Sequence, residues 1–99
     1  VPDIDTSAKM MPMRIEVKYF AAVREQLGTG EALVFADAAT APSSVGALLS
    51  HLQASTPLHA EALAGDRGLR MALDHELCLP DAILHDGAEV AFFPPVTGG

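Results

Sequence analysis

Ninety-nine residues hold one hydrophobic core and not two, and an apolar content of 49% fills such a core, which excludes a multidomain or an intrinsically disordered chain. Thirteen acidic residues against six lysines and arginines give a formal charge of −7, which argues against nucleic acid as a partner and suits a partner with a basic docking surface. A single cysteine, Cys78, excludes an internal disulfide framework, and no apolar run reaches membrane-spanning length, so the expectation is a cytoplasmic chain with no membrane contact.

Residues 1–12 show no sustained period and read as a segment outside the domain: a native extension, residues upstream of a true start at Met11 or Met13, or a remnant of expression. Over residues 13–20 apolar and charged side chains alternate, which predicts a strand. Ile15, Val17 and Tyr19 share one face; Arg14, Glu16 and Lys18 share the other, and Phe20 falls on that charged face. Residues 21–27 predict a short helix with Gly28 as a left-handed stop. Gly28 and Gly30 follow a helix, with no third glycine and no lysine, so they read as a turn rather than a phosphate loop. Residues 31–36 predict a second strand, with Ala32, Val34 and Ala36 opposite Leu33 and Phe35.

Ser44 is placed to cap the main helix, where Val45, Leu48, Leu49 and Leu52 recur at i, i+3, i+4 and i+7. That stripe should lie across the sheet, and the helix should end near Ala54, before Pro57. Residues 58–64 predict a further helical turn, 65–68 a turn, and 69–74 a third strand. His75 and Glu76 reverse the chain into a short strand, Leu77-Cys78-Leu79, which Pro80 ends. Asp86-Gly87 is a tight turn before the final strand, 88–93. Strand, short helix, strand, main helix and short strands make a mixed α+β order.

Few residues in the body of the chain carry chemistry. His51, His59, His75 and His85 lack zinc-ligand spacing on any predicted helix or hairpin and read as solvated. Cys78 sits between leucines, which predicts a buried, inert thiol. Asp74, Glu76 and Asp81 read as solvated turn acids. The aromatics on the wrong face say more. Phe93 alternates with Val90 and Phe92 and so shares the face of Glu89. If the first and last strands are parallel neighbours, Phe20 and Phe93 meet at one end of the sheet and form a docking patch, with Leu77 a third candidate. The competing reading has the main helix or the 58–64 segment cover both rings.

The chain closes on Pro94-Pro95-Val96-Thr97-Gly98-Gly99. Two prolines stop the last strand, and residues 95–99 read as a flexible tail, distinct from the domain of residues 13–94. None of the five has a charged side chain, and the two glycines pass a narrow channel and leave a terminal carboxylate open. The octet Phe92-Phe93-Pro94-Pro95-Val96-Thr97-Gly98-Gly99 resembles the C-terminus of the small subunits of molybdopterin synthase, ubiquitin-like sulfur carriers of the MoaD and ThiS kind. The resemblance spans residues 13–99.

That resemblance implies a β-grasp sheet with one main helix across it and the first and last strands parallel in its middle. It implies that Gly99, reached through Gly98, becomes an acyl-adenylate and then a thiocarboxylate. An activating enzyme that binds ATP does the adenylation, and a persulfide donates the sulfur. The tail, Pro94 to Thr97, then enters the large subunit of the synthase, which uses the sulfur to build the pterin dithiolene within a heterotetramer. No cofactor or metal is implied for this chain itself. The family more often has asparagine where Asp74 stands, and often Gly-Asp-Glu where this chain has Gly87-Ala88-Glu89. A sulfur carrier for thiamine thiazole, a ubiquitin-like protein modifier and a plain interaction module are the competing readings.

Overall fold

Period-two alternation in the strands sets the architecture. The computed structural model describes residues 11–64 and 68–95. In chain order these form β1 (Met13–Tyr19), α1 (Ala21–Leu27), β2 (Gly30–Phe35), α2 (Val45–Gln53), α3 (Pro57–Ala62), β3 (Arg70–Leu73), β4 (Glu76–Cys78) and β5 (Ala88–Phe93). The five strands make one sheet in the order β2-β1-β5-β3-β4. β1 and β5 pair in parallel, from Ile15 opposite Ala88 to Tyr19 opposite Phe92, and every other pair is antiparallel. This is the β-grasp arrangement expected from the terminal octet.

One sheet face is covered. Ile15, Val17 and Tyr19 of β1 and Val90 and Phe92 of β5 point into the core, each with almost no accessible surface. The stripe of α2 meets them there: Val45, Leu48 and Leu52 are buried, as its spacing predicts, and Leu63 beyond α3 fills the same core. The cap is also as predicted, because the Ser44 Oγ accepts a 3.1 Å hydrogen bond from the Ala47 N–H. The two donors before it are satisfied from outside the helix: the Val45 N–H by the Ala82 carbonyl at 2.9 Å and the Gly46 N–H by the Pro80 carbonyl at 2.7 Å. The 80–84 loop therefore fixes where α2 begins.

Two glycines differ in their reasons. Gly28 ends α1 at φ 92° and ψ −175°, positive in φ but outside the left-handed helical basin expected of it. Gly30 is required by close approach, since a Cβ there would stand 2.3 Å from the Val17 carbonyl oxygen. Of the N-terminal extension only Met11 and Pro12 are described; the Met11 carbonyl accepts from the Ala38 N–H at 2.7 Å.

Candidate functional site

The tail leaves the sheet at the C-terminal end of β5, and the predicted docking residues gather around that exit. Phe20 follows directly after β1, and its N–H donates to the Phe92 carbonyl at 3.2 Å, so it stands beside the end of β5. The chain turns there through Ala21 at φ 55°, a left-handed conformation that costs energy for a residue with a Cβ. Phe20 is left 47% exposed, so no helix covers its ring. Phe93 is half-buried and lies on the open sheet face, because Phe92 takes the core side. Pro94 is half-buried, Pro95 exposed, and Pro95 packs beside Gly68. Val96, Thr97, Gly98 and Gly99 lie outside the described residues.

Leu77 is 73% exposed on β4. Register connects it to the patch: Leu77 opposes Ala72, and Ala72 opposes Ala91. A lane of small residues on the open face thus runs from Leu77 toward β1. Arg70 opposes Phe93, and Lys18 opposes Ala91, so both cations share this face. Lys18 shares the face predicted for Phe20 but has no predicted role there, and the place of Arg70 beside Phe93 follows only from its register with β5. Beside them the ends of β3 and β4 splay into an open cleft of about 560 Å³ lined by residues 68–71 and 77–80. Among the described residues the lining includes Arg70 and Cys78 but no carboxylate. Cys78 is half-buried rather than buried, and burial, with Asp81 adding to it, pushes its thiol pKa up. Both effects disfavour the thiolate.

The histidines divide into two clusters, and one corrects the expectation of solvent. His59 is half-buried and its Nε2 lies 2.8 Å from Glu31 Oε2, while the Tyr19 hydroxyl donates to the same oxygen at 2.6 Å. Burial pushes the Glu31 carboxyl up, but the hydrogen bonds from Tyr19 and His59 outweigh it and leave the pKa lowered. The Tyr19 hydroxyl, buried and beside that carboxylate, is pushed far up and stays protonated. These contacts tie α3 to β1 and β2, a structural role that explains a buried tyrosine without invoking chemistry. The partners are 28 residues apart, so no local spacing signals them.

At the opposite end of the sheet, Asp74 and His75 form a two-residue hairpin loop with φ of 50° and 75°. Asparagine favours such positions, and aspartate tolerates them. Asp74 also works as a clasp: Oδ1 accepts the Glu89 N–H at 3.0 Å, and Oδ2 accepts from His85 Nε2 at 2.6 Å. His85 Nδ1 faces the Asp86 carbonyl at 2.9 Å, so both ring nitrogens meet acceptors. Hydrogen bonding to His85 lowers the Asp74 pKa, and the same contact raises that of His85. No group of three or more potential metal ligands occurs among the described residues, and no helix there is long and apolar enough to cross a membrane.

The comparisons agree with this geometry. The ThiS family model matches residues 17–99. The molybdopterin synthase sulfur carrier subunit of Escherichia coli (strain K12) is 47% identical over 85 residues, covering 86% of this chain and 99% of that protein. Among solved structures, the Haloferax volcanii HVO 2177 protein is similar with a TM-score of 0.67 at 27% identity, covering 89% of this chain and 88% of that one. A chain in the complex of subunits 1 and 2 of the molybdopterin-converting factor from Helicobacter pylori 26695 is similar with a TM-score of 0.56, again at 27% identity, covering 88% of this chain and 100% of that chain. A five-stranded sheet with a parallel central pair, an open face beside the tail and these relatives have one reading: the chain belongs to the ThiS family.

Proposed function

We propose that this chain is the sulfur-carrying small subunit of a molybdopterin synthase in the cytoplasm. The observation that carries the reading is the 47% identity, over nearly all of its length, to a curated sulfur carrier subunit of that enzyme. The carboxyl of Gly99 is a poor electrophile until a partner activates it. Its oxygen attacks the α-phosphorus of ATP on an activating enzyme, pyrophosphate leaves, and the acyl-adenylate forms. The terminal sulfur of a persulfide attacks the carbonyl carbon and AMP departs. A thiol then cleaves the acyl disulfide and leaves the thiocarboxylate, a good nucleophile at neutral pH.

The loaded tail enters the large subunit, which holds the pyranopterin substrate, and two such deliveries supply the two sulfurs of the dithiolene. Phe20, Leu77 and Phe93 hold the domain against that subunit while residues 94–99 reach inward. The complex of subunits 1 and 2 in the Helicobacter pylori relative supports a partner of this kind. Two small and two large subunits make up the assembly. The test is intact mass after incubation with activating enzyme, ATP and a persulfide donor. The expected result is a gain equal to sulfur replacing oxygen at Gly99, followed by dithiolene formation when the large subunit and pterin precursor are added. One residue fused after Gly99 should abolish the gain, because the carboxylate becomes an amide. Sulfur loading without dithiolene formation would move the chain to another sulfur pathway, and transfer to protein lysines would make it a modifier.

A further inference from the structure

The open face of the sheet is divided by charge. Its half away from the tail holds Arg14, Glu16 and Glu89, where Arg14 pairs with Glu16, and His75 lies 3.7 Å from Glu89. The half beside the tail holds Lys18 on β1 and Arg70 on β3, with Ala72, Leu77, Ala91 and Phe93 around them. No strand carboxylate shares that half: Glu31 and Glu76 oppose Val17 and Leu73 and so take the other face. Among the described residues neither Lys18 nor Arg70 forms an ion pair. A chain with six lysines and arginines and a charge of −7 thus places two of its cations at its docking patch.

Position makes these cations matter. Arg70 is the cross-strand neighbour of Phe93, with side chains that start roughly 5 Å apart. A partner that covers the Phe93 ring covers part of the guanidinium with it. An apolar surface there would strip water from a charge and return nothing, and a basic surface would repel it. Resting on the docking role proposed above, we infer that the surface received by this half of the sheet is acidic, with carboxylates that meet Arg70 and Lys18 on either side of the Phe93 contact. Two strand spacings across and two residues along the strands, the Cα atoms of the two cations stand roughly 12 Å apart, which guides the separation of the carboxylates. The chain as a whole attracts a basic partner at long range, while its contact patch selects acidic groups at short range. The two fields orient the encounter: a partner basic overall and acidic at the patch docks with the tail toward its pocket.

The test uses the full chain and the large subunit of molybdopterin synthase. Binding is measured for the unaltered chain and for Arg70→Glu, Arg70→Gln, Lys18→Glu, Phe93→Ala and, as a cation in the half of the face away from the tail, Arg14→Glu, with melting temperatures in parallel. Arg70→Glu should weaken binding about tenfold or more, Arg70→Gln and Lys18→Glu severalfold, and Arg14→Glu less than about twofold. Rising salt should weaken the Arg70→Glu variant less than the unaltered chain once both are compared with Arg14→Glu. Equal or tighter binding by a folded Arg70→Glu variant, while Phe93→Ala weakens it, would overturn the acidic surface and leave the docking reading intact. Unchanged affinity for Phe93→Ala would instead remove the docking reading, and this inference with it.

Discussion

Phe92 and Phe93 are the same residue type, one position apart, and lie in different environments. Phe92 has no accessible surface, and Phe93 is half-buried on the open face. Tyr19 and Phe20 repeat the contrast across the sheet, at 1% and 47% exposure. Because side chains alternate along a strand, a one-residue step moves an aromatic from the core to the open face. The covered face is complete: α2 seals it and its buried polar atoms have partners. The open face is left unfinished, with Leu77 73% exposed and two cations unpaired among the described residues. Substitutions on the two faces should therefore read out differently, one in stability and the other in binding.

The largest effect belongs to neither face. A chain without Gly98 and Gly99 should lose thiocarboxylate formation altogether and keep its melting temperature. Its reacting carbonyl moves back by roughly 7 Å, at 3.3–3.6 Å per residue, far beyond what a near-attack geometry tolerates. Full product formation from that chain would end the sulfur-carrier reading.

On the covered face, Leu48→Ala should cost about 2–5 kcal/mol and Phe92→Ala about 3–5 kcal/mol by denaturant unfolding. On the open face, Phe93→Ala and Phe20→Ala should weaken large-subunit binding by more than about 1 kcal/mol and move the unfolding midpoint little. If Phe93→Ala proved as destabilising as Phe92→Ala, the division between faces would collapse. The smallest effect lies at the end of the sheet away from the tail. Asp74 has a lowered pKa, so its contribution is present above the unfolded value of about 3.9 and lost as pH falls through the folded one. His85 has a raised pKa, so its contribution is full below about 6.5 and lost as pH rises through the folded value. The clasp is therefore strongest between those values. Both groups are exposed, so the effect is small. The melting-temperature difference between the unaltered chain and Asp74→Asn should peak in that window, and a gap that stays flat with pH would rule out the ion pair as its source.

The elements of the fold were legible because local pattern dictates them. The alternation from Met13 to Tyr19, the stripe from Val45 to Leu52 and the cap at Ser44 are all decided within a few residues, as is the end of α1 at Gly28, though not its left-handed geometry. The parallel pairing of β1 with β5 was reached only through the resemblance of the last eight residues, since no local period specifies a partner so distant in sequence. Long-range side-chain contacts were out of reach for the same reason. His59 read as solvated, yet Glu31 and Tyr19, each on a different strand, take it partly out of water. Asp74 read as an ordinary turn acid, and its ties to His85 and Glu89 appear only once β5 lies against β3. Arg70 carried no signal, because its meaning lies in a register with Phe93.

The central place of β5 also governs when the molecule comes into being. β5 is the last of the five strands in chain order, yet it sits between β1 and β3 and is hydrogen-bonded to both. Without residues 88–93 the sheet reduces to two separate strand pairs, β1 with β2 and β3 with β4, with no strand to join them. Closing the sheet requires bringing β1 and β5 together across most of the chain, the slow and entropically costly kind of contact. A partly made chain accordingly presents no finished surface to a binding enzyme. The closed sheet and the root of the arm proposed to carry sulfur, at Pro94, are completed within a few residues of each other.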